Sequence, residues 1–204
     1  MTNVARKYKQ AQLSDLDPTI SPALHGLVKE YVTDLAEMWE KRKGLLLVGK
    51  PGIGKTMGLS VILNAAKAAG FSTRFVTLAG YQRGLMKVMR LREDQKAATD
   101  YQDKEDLFDE YRAMQVEGEK LLNTYQFLAV DDVGKEHGTS TRFIEDEFDY
   151  LLRHRGHKGL VTLMTSNIPL TKWSDTYSES MRSYIHEICF VVEVDGTDAR
   201  RGVI

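Results

Sequence analysis

The chain has 204 residues, 42% hydrophobic and 28% charged, with 28 Lys and Arg against 29 Asp and Glu for a formal net charge of −1. That length suits one domain with a substantial core, and the balanced charge excludes a globally basic nucleic-acid coat, so any DNA site has to be a local patch. A single cysteine, Cys189, excludes an intrachain disulfide, no apolar run approaches membrane-spanning length, and no apolar signal core follows the basic start, so a cytoplasmic protein with no membrane partner is expected.

Residues 1 to about 20 are polar and without clear period, and read as an arm or linker. Ser21-Pro22 then looks like an N-cap followed by Pro at the first helical position. One helix is expected over 23–43, with Leu24, Leu27, Val28, Tyr31, Leu35, Met38 and Trp39 at helical spacing, cations at its end and Gly44 as its stop. Residues 45–48 form a short apolar run of the kind a buried parallel strand uses. Gly49-Lys50-Pro51-Gly52-Ile53-Gly54-Lys55-Thr56 follows and fits the phosphate-binding pattern G-x-x-x-x-G-K-[ST]. Leu59, Ile62, Leu63 and Ala66 then give a helix its apolar stripe. Strand, glycine loop and helix are what the pattern needs. Backbone N–H groups turn inward around phosphate oxygens where a Cβ would obstruct them, and the helix start adds partial positive charge. Lys55 is expected to reach the β- and γ-phosphates, and the Thr56 hydroxyl to hold Mg²⁺.

Residues 73–77 read as a second strand. A helix is expected over 81–92, where Arg83, Lys87 and Arg90 fall at i, i+4 and i+7 on one face. This is the local basic cluster suited to DNA phosphates, and a solvated helix face explains the same residues. Residues 100–119 are acidic over an apolar helical stripe and read as a charged surface helix. The apolar strand 125–132 ends in Asp131 and Asp132, which would emerge at the C-terminal edge of a parallel sheet, where open α/β sheets bind ligands. Asp131 would hold Mg²⁺ and Asp132 would polarise the attacking water; as a bare pair they would also serve to cap a turn before Gly134. A helix over 141–155 leads to a strand at 160–165, with Asn167 at its tip as a group to align that water or as a turn former before Pro169. A helical stretch to about 187 and a strand at 188–194 complete the pattern. Cys189 reads as a buried strand residue. The five histidines are scattered and show no zinc spacing. Alternating strands and helices imply an α/β, three-layer P-loop NTPase with a five-stranded parallel sheet, an intervening strand between the loop strand and the acid strand, and little or no C-terminal lid.

The glycine loop, Val130-Asp131-Asp132-Val133-Gly134-Lys135-Glu136, Leu163-Met164-Thr165-Ser166-Asn167 and Gly196-Thr197-Asp198-Ala199-Arg200, in that order, resemble the AAA+ ATPases of the DnaC/DnaI-type replicative helicase loaders and the related IstB-type transposition ATPases. The resemblance implies ATP and Mg²⁺ as cofactors, Asn167 as first sensor and Arg200 as second-sensor arginine. It also implies single-stranded DNA binding in the region of Arg83, Lys87 and Arg90, a replicative hexameric helicase as partner, and self-association into an oligomer or filament. Two departures stand out. The position of the family's intersubunit arginine holds Tyr184, with Arg182 two residues away. The family's N-terminal helicase-binding domain is absent or reduced to residues 1–40, leaving the ATPase domain at 41–204. Three functions remain open: a helicase loader, an ATP-dependent transposase partner, and a nucleotide-gated interaction protein with little turnover.

Overall fold

The computed structural model describes residues 8–134, 141–175 and 177–198. Five strands form one parallel sheet: β1 (Gly44–Val48), β2 (Thr73–Thr77), β3 (Phe127–Val133), β4 (Val161–Ser166) and β5 (Cys189–Glu193), in the spatial order β2-β3-β4-β1-β5. Strand β4 therefore lies between the strand that leads into the glycine loop and the strand that carries the two acids, as expected. The register pairs Leu45 with Leu163 on one side of β1 and with Phe190 on the other.

The helices are α1 (Pro22–Thr33), α2 (Leu35–Glu40), α3 (Lys55–Ala68), α4 (Leu78–Ala97), α5 (Tyr101–Asn123), α6 (Thr141–His157) and α7 (Glu179–Ile188). Both sheet faces are covered, so the central strands are continuous apolar runs whose alternate residues enter two separate cores. Leu45, Leu47, Phe127, Ala129 and Leu163 join Leu24, Val28, Leu59 and Ile62 in the core of α1 and α3. Leu46, Val48, Leu128, Val130 and Met164 join Phe148, Leu151, Trp173 and Ile185 on the opposite face.

Several boundaries differ from the sequence expectation. The helix expected over 23–43 is two helices. The Thr33 hydroxyl donates to the Lys29 carbonyl at 2.9 Å, a back-bond that bends helices, and Asp34 leaves helical geometry at φ −98° and ψ 22°. Gly44 is the first residue of β1 and does not stop the helix; the chain turns at Arg42 (φ +54°), whose guanidinium covers Trp39 at 4.0 Å. Helix α4 starts directly after β2, because the Thr77 hydroxyl caps Gly80 N–H at 3.0 Å. Between β4 and α7 the described residues form a 3-10 turn, Leu170–Asp175, before Ser178 caps α7 through Met181 N–H.

Within the segment expected to be an arm, residues 8–20 pack against the body of the protein. Leu13–Asp15 makes a 3-10 turn, and Ala11 and Leu16 are buried in the same core as α1 and α3.

Candidate functional site: a phosphate cradle facing two acids

The loop between β1 and α3 takes the shape its glycines allow. Gly52 and Gly54 have φ of +89° and +97°, in the left-handed region that L side chains rarely enter. A Cβ on Gly52 would stand 1.9 Å from an Asp198 carboxylate oxygen. A Cβ on Gly49 would stand 2.2 Å from the Val194 carbonyl oxygen, because Val194 N–H continues the β1–β5 ladder onto Val48 at 2.8 Å. The loop ends at the N-terminus of α3, where free N–H groups and the helix dipole favour an anion.

Three strands converge on this loop. Lys55 is buried, and its ammonium donates to the carbonyls of Gly49 (2.7 Å) and Lys50 (2.8 Å) and to Asn167 Oδ1 (2.8 Å). Asn167, at the tip of β4, donates in turn from Nδ2 to Asp132 Oδ1 at 3.2 Å. The Thr56 hydroxyl lies 3.0 Å from both oxygens of the buried Asp131 carboxylate. The motif lysine and threonine from the loop, the two acids from β3 and the amide from β4 thus form one connected site, as the sequence spacing implies.

The acids are placed by a break in the sheet. The β3–β4 register shifts between Val130 and Val133, and Asp132 has φ +62°. A bulge of this kind re-aims side chains next to a site. Thr165 holds it: its hydroxyl donates to Asp131 Oδ1 and accepts from Asp132 N–H at 2.9 Å. Sequence reasoning passed over Thr165; its only signal is a hydroxyl beside Ser166-Asn167 at the end of an otherwise apolar strand.

A cavity of about 230 Å³ opens onto this network. Residues 51–57, Asp132 and Asn167 line one part of it. Tyr8, Asp15, Leu16, Asp17 and Ile20 line the rest. This second wall comes from the segment expected to be an arm, and the sequence carried no periodic signal for it.

The remaining expected residues lie elsewhere. Arg182 does not line this cavity. It borders a separate groove with Leu170, Glu179, Ser183, His186 and Val191, and approaches Glu179 at 3.8 Å. Tyr184 is buried, with its ring 4.7 Å from the Arg153 guanidinium and its hydroxyl directed at the Arg153 carbonyl. Arg83, Lys87 and Arg90 are exposed on α4, and Lys87 is ion-paired with Glu110 of α5. Arg200, Lys135 and Glu136 lie outside the described residues. Among the described residues, no group of three or more His, Cys, Asp or Glu has metal-site geometry, and no helix is long and apolar enough to cross a membrane.

The residues present fit a magnesium–triphosphate. The positive-φ glycines leave a cradle that a side chain would close, and a hydroxyl and a carboxylate, both hard oxygen donors suited to Mg²⁺, meet beside it.

No family model matches the sequence. Over 163 residues the chain is 27% identical to the replicative helicase loader DnaI of Bacillus subtilis (strain 168), covering 78% of this chain and 45% of that protein. It thus spans about half the length of this curated relative. Among solved structures, a DnaC helicase loader superposes with a TM-score of 0.68 at 20% identity, covering 94% of this chain and all of the other. A replication initiator DnaA bound to AMPPCP and single-stranded DNA superposes with a TM-score of 0.66 at 16% identity, covering 91% of this chain and 50% of that one. The sequence likeness to DnaI and the fold likeness to DnaC and DnaA converge on one description: the chain resembles the DnaC/DnaI-type helicase loaders and has the fold of an AAA+ P-loop ATPase domain.

Proposed function

We propose that the chain binds and hydrolyses ATP, binds single-stranded DNA, and loads a replicative hexameric helicase during DNA replication. The observation that carries this reading is the joining of Lys55 and Thr56 to Asp131 and Asp132 through Asn167 and Thr165. The likeness to DnaI supports the loading role.

In this reading residues 49–56 hold the phosphates, and Thr56 and Asp131 hold Mg²⁺. The ion would supply positive charge against the phosphate oxygens. Lys55 turns its ammonium from the loop carbonyls toward phosphate. Asp132 accepts a proton from the attacking water, and Asn167, already bonded to Asp132 and Lys55, orients that water. Arg200 acts as the second sensor. Arg182, on a different face, supplies the intersubunit arginine in an oligomer or filament. Arg83, Lys87 and Arg90 contact DNA phosphates. Residues 1–40 are an arm and helix leading the ATPase domain at 41–204, and α1 packs on α3 in one apolar core.

The test is helicase loading by the Lys55→Ala variant on single-stranded DNA. Loss of nucleotide binding and of loading together is expected, and retained loading refutes the proposal. A pull-down from the source cell that returns a transposase would replace the loader reading with a transposition partner.

The buried Tyr184 favours a second reading. Its ring is held under Arg153 and presents no cation to a neighbouring subunit, which suits a nucleotide-gated interaction protein with little turnover. Vigorous hydrolysis stimulated by single-stranded DNA excludes this second reading.

A further inference from the structure

The wall opposite the phosphate cradle is tied down at defined points. Asn64 lies on α3, about two and a half turns beyond Lys55. Its Nδ2 donates to the carbonyl oxygens of Ala11 at 2.9 Å and Tyr8 at 3.3 Å. Those carbonyls flank a turn that the Ala11 N–H closes onto the Tyr8 carbonyl at 3.3 Å. The Leu16 methyl reaches within 3.1 Å of where a Cβ on Gly54 would stand, so the wall also touches the glycine loop. At its far end the Ile20 carbonyl accepts from Thr197 N–H at 2.9 Å, and the Ser21 hydroxyl donates to the Asp195 carbonyl at 2.5 Å.

Lys55, Thr56 and Asn64 share one rigid helix. The phosphate-binding end of α3 and the anchor of the wall are therefore fixed relative to each other. The space between them is where the rest of a nucleotide must go once its phosphates rest on the loop. That space is faced by Leu16, Ile20 and Met57, apolar groups suited to the flat faces of a base. The Asp15 and Asp17 carboxylates are held locally by Gln12 N–H and by Thr19, which keeps their turns in shape beside the cavity.

We propose that Asn64 is a positioning residue for the nucleoside half of the ligand: through the Tyr8 and Ala11 carbonyls it holds the 8–20 wall at the spacing from α3 that a base and ribose need. It acts through the wall and touches neither ligand nor metal. The inference rests on the nucleotide-binding reading above.

The test is calorimetric titration of the full chain with magnesium–ATP and with magnesium–tripolyphosphate, which carries the phosphates without the nucleoside. In Asn64→Ala, ATP affinity should fall about tenfold, the scale of two lost hydrogen bonds, while tripolyphosphate affinity stays within about twofold. Asn64→Asp keeps the side chain's shape and loses the donors, and should show the same split. Hydrogen exchange gives a second readout: ATP should protect backbone amides 11–20 in the wild type and lose that protection in both variants. Equal weakening of both ligands, or unchanged ATP affinity, overturns the role of Asn64 and leaves nucleotide binding standing. A wild-type chain that binds neither ligand overturns the nucleotide reading, and this inference with it.

Discussion

Arg155 is fully buried, and its bonds go to backbone and hydroxyl oxygens. Nε donates to the Thr162 hydroxyl (3.0 Å), one terminal nitrogen to the Leu121 carbonyl (2.5 Å), and the other to the carbonyls of Tyr125 (2.9 Å) and Val161 (2.8 Å). Burial pushes its pKa down to about 9, which leaves it charged at neutral pH. The side chain pins the end of α5 to the starts of β3 and β4, and a cation suits a helix C-terminus. Arg155→Met should cost about 3 kcal/mol, because it leaves buried carbonyls without donors. A lower urea midpoint at unchanged slope would register that loss. Cys189 sets a pH dependence. Burial raises its thiol from 9.0 to about 12, and burial likewise raises the Tyr31 hydroxyl. The unfolded chain gives up these protons first. The stability they contribute is therefore complete below about pH 9 and is lost as pH rises toward 12. Melting temperature measured from pH 8 to 11 should fall across that window, and Cys189→Ala should make the fall shallower.

At the scale of elements, α4 and α5 form a hairpin that connects β2 to β3 along the chain. Gly84 and Gly118 sit inside these helices with negative or extended φ, and a Cβ on either would meet nothing within 4 Å. Neither a turn nor a close approach requires glycine there. Alanine at each should stabilise the protein by about 1 kcal/mol and raise the melting temperature by about 2–4 °C. The hairpin also ranks the basic residues. The Lys87 ammonium faces Glu110, whereas Arg83 and Arg90 are exposed and no comparable ion pair joins them to a described residue. If the helix binds single-stranded DNA, Arg83→Ala and Arg90→Ala should each reduce the slope of log affinity against log salt by about 0.7, and Lys87→Ala by less. Filter binding across a salt series measures this. Equal effects at all three positions would mean that the Lys87–Glu110 pair opens at no cost when DNA binds.

Across the whole molecule, the parts legible in the sequence were those with local or periodic causes. The strands β1, β3 and β4 are buried on both faces and so read as unbroken apolar runs, and the glycine loop announces its own geometry. The 8–20 wall was illegible because Ala11, Leu13, Leu16 and Ile20 follow no period. The segment is placed by Asn64, Gly54 and Thr197, which are distant in sequence. Thr165 was missed for a similar reason, since its role depends on a bulge in the neighbouring strand. The long-range joining of loop, β3 and β4 yields a test that spans the molecule. A ligand seated on Lys55, Thr56, Asp131 and Asp132 bridges the start of α3 to the end of β3, and the unfolded chain has no such site. Magnesium–ATP at about a hundred times its dissociation constant should then add about 2.7 kcal/mol and raise the melting temperature by about 5–10 °C. Lys55→Ala should show no rise at the same concentration. Asp131→Asn should lose the part of the rise that depends on magnesium and keep the part that ATP gives in its absence, because Asp131 meets the Thr56 hydroxyl and not the loop glycines. A wild-type melting curve unmoved by saturating nucleotide would mean that the cradle and the acids do not share one ligand.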